Sequence, residues 1–219
     1  MTLDHPNLQF FWHLLTRLGE MQILLPAALL VILTLSRQPD SRPLAYRWLL
    51  GLVLAGLVTL ASKVAFIGWG IGSAALDFTG ISGHAMFAAA VYPLLLCTLA
   101  SRLPPGAQKV ALASGFALAF AVGLSRLEVG AHSVSEVLAG LVLGGAASVS
   151  AIAGSNLPRI AIGSTLSILV ALWIFLSPVH IPPLPTHSMV TRLALQLSGH
   201  AAPHTRRMSP RLQGSSVIH

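Results

Sequence analysis

The chain has 219 residues, of which 54% are hydrophobic and only 9% charged, and its mean hydropathy is +0.78. That apolar share exceeds what a soluble domain of this length needs to fill a core, and it points to an integral membrane protein. The formal charge is +7, yet the basic residues are scattered over short loops and the tail, without aromatic platforms or a continuous basic face, which argues against a nucleic-acid partner.

Residues 1–20 interleave Phe10, Phe11, Trp12, Leu14 and Leu18 with His13, Arg17 and Glu20. This pattern suits a short amphipathic helix at the membrane interface, and a plain lead-in to the first span suits it equally. The segment lacks the basic start of a signal peptide, so the first span is expected to stay. Apolar runs follow at 21–36, 48–67, 84–100, 109–124, 133–153 and 160–177. Each approaches the length that crosses a ~30 Å hydrocarbon layer as a helix. The expectation is an all-α, polytopic membrane protein with about six transmembrane helices in one domain, 21–177. Loops 37–47 and 101–109 are polar and contain Pro, and 68–83 is Gly-rich and irregular. From 178 to 219 the chain reads as a polar tail, partly disordered, with an amphipathic helix at 186–198. The one cysteine, Cys97, falls inside a span, which excludes an intrachain disulfide.

Arg37, Arg42, Arg47, Arg102, Lys109 and Arg159 lie in the first, third and fifth connections, against Arg17, Lys63 and Arg126 on the other side. The bias puts those connections in the cytoplasm. Segments 68–83 and 125–132 and both termini then face outward from a cell membrane of the bacterial inner-membrane kind. The tail residues Arg192, Arg206, Arg207 and Arg211 pull the other way.

With that topology the unusual polar residues gather on one side. Lys63 is near the outward end of span 2, Ser82, Gly83 and His84 open span 3, Ser125 and Arg126 close span 4, and His132 and Glu136 open span 5. Ionisable groups at membrane depth are costly and mark functional sites, although snorkelling explains Lys63 or Arg126 taken singly. Together they suit an oxyanion pocket. Lys63 and Arg126 supply positive charge, and Ser82 and Gly83 add a hydroxyl and a close backbone at a helix N-terminus. His132 and Glu136, four apart, are expected on one helix face, where the carboxylate fixes the imidazole tautomer and leaves the other nitrogen free to attack. His84 is then available as the general acid.

These residues resemble the type 2 phosphatidic acid phosphatase superfamily of membrane lipid phosphatases and haloperoxidases. The family signature joins a Lys followed by Arg-Pro, a Pro-Ser-Gly-His, and a Ser-Arg with a His six residues after the Arg and an Asp four beyond. Here the second part reads Ile81, Ser82, Gly83, His84 and the third Ser125, Arg126, His132, Glu136. The resemblance implies a metal-independent, cofactor-free hydrolysis of a lipid phosphate or diphosphate. It makes His132 the nucleophile of a phosphohistidine, His84 the acid, Glu136 the orienting carboxylate, and Lys63, Ser82, Gly83 and Arg126 the phosphate cradle. The chain departs from the pattern at Gly70 and Ile71, where Arg-Pro is expected, at Ile81 for Pro, and at Glu136 for Asp. No Lys or Arg lies in 64–101, so such a site is expected to lean on Lys63, Arg126 and the substrate's lipid tails.

Two rival readings use the same residues. A non-catalytic descendant that binds or moves an anionic lipid head group needs the cations, but has no need of a histidine held by a carboxylate. A metal site built from Asp77, His84, His132 and Glu136 is disfavoured by the neighbouring Lys63 and Arg126, which repel a cation. Elsewhere, His5, His13, His180, His187, His200, His204 and His219 read as solvated, and Asp77 as solvated or capping span 3. Gly140, Gly144 and Gly145 read as small-residue contacts between helices.

Overall fold

Helix α4 (Gly83–Leu99) is apolar on all sides, and its residues Ala85, Met86, Val91, Tyr92, Leu94 and Leu95 are almost wholly buried. A helix without a polar face has to be surrounded. Around it, in the computed structural model, which describes residues 6–153, 164–180, 182 and 184–206, stand α2 (Met21–Ser36), α3 (Arg42–Trp69), α5 (Pro105–Glu128) and α6 (Val134–Ile152). Helix α1 (Pro6–Arg17) packs on α5, α7 (Ser164–His180) on α2, and α8 (Thr186–Ser198) on α3. The expected start of the last span, and the tail beyond 206, lie outside the described residues.

The described residues are helical but for connections and one isolated bridge, in which Ser73 and Phe78 exchange backbone hydrogen bonds of 3.0 and 2.9 Å. Four stretches, Asn7–Ser36, Pro39–Trp69, Pro105–Glu128 and Val134–Ile152, are long and apolar enough to cross a membrane. Helix α4 and Ile168–His180 are apolar but shorter; at ~1.5 Å per residue α4 spans about 26 Å. The outer faces carry Leu50, Leu54, Leu57, Phe120, Val142 and Leu169, all exposed. An apolar surface this extensive requires lipid rather than water against it. The molecule is a multi-pass, all-helical membrane protein.

Two loop boundaries differ from the sequence expectation. Residues 42–47 already belong to α3 and 105–109 to α5, because Pro43 and Pro105 sit in the first turns, where a missing N–H costs nothing. Polar first turns then lengthen each helix beyond its apolar run. Helix α8 forms at 186–198 as the pattern implied.

Small residues set the spacing of α4 and α6. A Cβ on Gly140 would stand 2.6 Å from the Ser82 carbonyl, and one on Gly144 would collide with the carbonyl of Met86. Gly145 faces Phe116 of α5 with ordinary clearance. Ser148 of α6 completes the seam by donating to Ala89 O at 2.6 Å.

Candidate active site

The ends of α3, α4, α5 and α6 converge on one cavity of about 1290 Å³, lined by Lys63, Gly83, His84, Arg126 and His132 among others. Ser82 and Glu136 stand behind it with no exposed surface. All seven residues singled out by sequence thus come together.

Helix α6 starts with a capping box. Ser133 is the N-cap and accepts from Glu136 N at 3.4 Å, while Glu136 Oε2 accepts from Ser133 N at 3.1 Å. The same Oε2 lies 2.7 Å from His132 Nδ1. His132 therefore precedes the N-cap, and the expectation that it shares a helix face with Glu136 is corrected: the cap, not helical periodicity, brings the carboxylate back to the imidazole. An ionised carboxylate only accepts, so Nδ1 carries the proton and Nε2 holds the lone pair. Burial holds the imidazole below its ordinary proton affinity; the Glu136 hydrogen bond opposes this and the Lys63 charge adds to it.

Loop 70–82 is pinned on both sides. Ile81 N donates to Ser62 Oγ of α3 at 3.0 Å, and Gly80, at φ +142°, approaches so closely that a Cβ would stand 3.0 Å from Lys63 Cγ. Toward α6, Thr79 gives Glu136 Oε1 both its N–H, at 2.7 Å, and its hydroxyl, at 2.5 Å. Ser82 N donates to Glu136 O at 3.1 Å. Ser82 is the N-cap of α4 but its side chain makes no capping bond. Its hydroxyl, Arg126 Nε and Thr59 Oγ1 are buried and have no hydrogen-bond partner among the described residues. Such orphaned groups at one cavity are what a polar ligand would satisfy.

The cations have defined neighbours. Arg126 donates from Nη1 to Thr16 Oγ1 at 2.7 Å. A Cβ on Gly83 would be 3.8 Å from Lys63 Nζ and 3.9 Å from Thr59 Cγ2, so the opening of α4 faces both. Gly19, between α1 and α2, lets the chain pass within reach of His84, whose Cβ would be 2.9 Å from a Cβ there. Ser125, by contrast, turns its hydroxyl onto Val122 O at 2.6 Å within α5. Among the described residues no three His, Cys, Asp or Glu side chains gather as for a metal ion.

Sequence reasoning missed Thr16, Thr59, Thr79 and Arg206. Thr59 had a signal, since it lies four residues before Lys63 on α3 and so on its face. Arg206 had none. Its Nη2 is 2.7 Å from Glu136 Oε1 and its Nε 3.3 Å from Asp77 Oδ1. Asp77 neither caps α4 nor is left to solvent alone. Gly70, where the resemblance leads to an Arg, is the C-cap of α3 at φ +70°, and a Cβ there would stand 2.9 Å from His204 Cδ2. His200 and His204 are exposed, yet their Nδ1 atoms lie 2.6 and 3.3 Å from the carbonyls of Gly68 and Ile67.

The chain is similar to known proteins in sequence and in fold. A Klebsiella pneumoniae protein described as an uncharacterized 22.5 kDa protein in the cps region is 44% identical over 137 residues, 63% of this chain. The match spans 66% of that relative, a little under two thirds. The crystal structure of a transmembrane PAP2 type phosphatidylglycerolphosphate phosphatase from Bacillus subtilis is similar with a TM-score of 0.50 and 25% identity, over 68% of this chain and 77% of that one. The profile of the PAP2 superfamily matches residues 69–157, which hold His84, Arg126, His132 and Glu136, and together with the structural likeness it supports assigning the chain to that superfamily.

Proposed function

We propose that the protein is an integral membrane phosphatase that hydrolyses a lipid phosphate or diphosphate through a phosphohistidine on His132. The observation that carries this reading is the 2.7 Å contact of His132 Nδ1 with Glu136, at a cavity that also holds Lys63 and Arg126. Nε2 attacks phosphorus as the phosphorus–oxygen bond to the lipid alcohol or lipid phosphate breaks, and His84 gives that oxygen its proton. His84 then takes a proton from water, which attacks the phosphohistidine and releases phosphate. Lys63, Arg126, Ser82 and Gly83 offset the charge on the transferring group.

The match to the superfamily profile and the likeness to a membrane PAP2 phosphatase support this activity. The cavity runs from its polar corner past Leu60, Phe66, Ile67 and Val190, which suits a head group with the first part of an acyl chain. A head-group carrier would use the cations but leave the His132–Glu136 contact without a task. The charge bias of the loops supports a site on the extracytoplasmic side of the cell membrane. Residues 21–177 form the phosphatase domain, and α8 and residues 200–206 of the segment that follows pack onto it.

The test is phosphate release by detergent-solubilised protein from phosphatidic acid, phosphatidylglycerol phosphate, a polyprenyl diphosphate and a lipid A phosphate. One or more should be hydrolysed, with and without chelator. His132→Ala should lower turnover by more than about 10³-fold, and an alkaline quench of wild type should trap phosphate on His132. Full activity in that variant, or loss to chelator restored by added metal, sinks the mechanism.

A further inference from the structure

Arg206 reaches the site by a route that the chain has built. Helix α8 ends at Gly199, at φ +70°, and lies on α3 through Ala194, which is buried against Val64 and Ile67. The absence of a side chain on Gly68 allows this closeness, since a Cβ would stand 3.2 Å from both Ala194 O and Ser198 Cβ. The next residues do not leave the helix end. His200 Nδ1 donates to Gly68 O, and His204 N–H donates to Ile67 O at 2.9 Å. Both acceptors are terminal carbonyls of α3, which have no partner within their own helix. The strap 200–206 is thereby led over loop 70–82, and Arg206 turns into the cavity wall.

There the guanidinium meets the back of the Glu136 carboxylate. Glu136 Oε1 accepts from Arg206 Nη2 at 2.7 Å and from both donors of Thr79, whereas Oε2 serves His132 and Ser133. A buried carboxylate without a cation is costly, and a glutamate has one more torsion to hold than an aspartate. Thr79 and Arg206 act on the oxygen that His132 does not use. They fix the rotation of the carboxylate and keep Oε2 aimed at Nδ1. Asp77 steadies the guanidinium from the loop side, with its oxygen 3.3 Å from Nε.

We propose that Arg206 is a positioning residue of the active site, acting through Glu136 on the orientation of His132, and that the strap 200–206 is part of the catalytic unit. This rests on the reading of His132 as nucleophile. Arg206→Ala and Arg206→Lys are compared with wild type in the full chain. Arg206→Ala should lower kcat about 10- to 100-fold, the range of one charge-assisted hydrogen bond, with KM little changed. Arg206→Lys should recover part of the loss, and added guanidinium should rescue Arg206→Ala. Thermal unfolding in detergent checks that both variants are folded. Carbethoxylation of His132 by diethyl pyrocarbonate, read peptide by peptide by mass spectrometry, follows the imidazole without turnover. It should quicken several-fold in Arg206→Ala and return toward wild type in Arg206→Lys. If wild type is active and Arg206→Ala matches it, or loses only KM, the positioning role is overturned while the phosphatase reading stands. If wild type hydrolyses nothing, that reading has failed, and labelling alone decides: an unchanged rate at His132 overturns the proposal.

Discussion

Gly140 of α6 lies so close to Ser82 that a Cβ atom would stand 2.6 Å from the Ser82 carbonyl oxygen and 3.1 Å from Ala85 Cβ. One turn earlier on α6, Glu136 O accepts from Ser82 N. The glycine that lets two helices touch therefore also sets where the opening of α4 sits in the cavity.

Gly140→Ala should push α4 and α6 apart at that point, because the obstacle is backbone and cannot rotate away. The expected cost is about 1–3 kcal/mol, typical of overpacking, read as a lowered thermal midpoint in detergent. Activity should fall further than stability, since Ser82 moves with the seam. Gly106→Ala is the control: a Cβ there meets nothing within 4 Å. Equal behaviour of the two variants would remove the argument from the α4–α6 contact.

Much of this was legible in the sequence because it is local. The run 21–36 coincides with α2, and the runs for α4 and α6 fall within a residue or so of the helices. Ser82-Gly83-His84 and the Arg126, His132, Glu136 spacing could be read because a helix start and a tight connection fix their relative positions. Topology then brought the four helix ends together. Thr16 and Arg206 could not be read this way, as their partners Arg126 and Glu136 are 110 and 70 residues away. The strap 200–206 has no periodicity and binds through terminal carbonyls, which leave no trace in side-chain pattern. Gly70 carries a second role that the sequence did not show: the resemblance presents it as a lost cation, and its left-handed backbone also makes it the stop of α3.

Gly70→Arg is accordingly expected to harm rather than restore. At φ +70° a side chain costs about 1 kcal/mol or more, and its Cβ would press on His204, which anchors the strap that carries Arg206. The midpoint of unfolding should drop and kcat should drop with it. Gly70→Asn, which tolerates this backbone region better, should lose less of both. A gain in kcat for Gly70→Arg would show that the position can hold a working cation and that the C-cap is dispensable.

His132 should show its surroundings in the pH profile. A proton on Nε2 blocks attack, so activity falls as pH falls through the value of His132 in the folded protein. Burial lowers that value, and the acid limb of kcat/KM, which reports the free enzyme, should lie below the ordinary imidazole range. Lys63 of α3, His84 of α4, Arg126 of α5, Glu136 of α6 and Arg206 of the strap share this corner. Removing a positive neighbour favours the imidazolium, so Lys63→Met should shift the limb of the residual activity to higher pH. Glu136→Gln removes a negative partner and should shift it to lower pH, besides lowering kcat. Shifts in the same direction for both variants would assign the limb to another group.

The side of the membrane on which the cavity opens follows from charge. Arg37, Arg42, Arg47, Arg102 and Lys109 lie at the ends of α2 to α5 opposite the cavity, and short connections rich in Lys and Arg are retained in the cytoplasm. The cavity end should then face outward. Single cysteines at Ala75, exposed in loop 70–82, and at Arg102, exposed between α4 and α5, report the two ends. Cys97 is buried in α4 and is replaced by Ala to clear the background. In intact cells an impermeant maleimide should label Ala75→Cys, and should label Arg102→Cys only after the membrane is opened. The reverse pattern would turn the protein over, and a lipid phosphate would then have to reach His132 from the cytoplasmic leaflet.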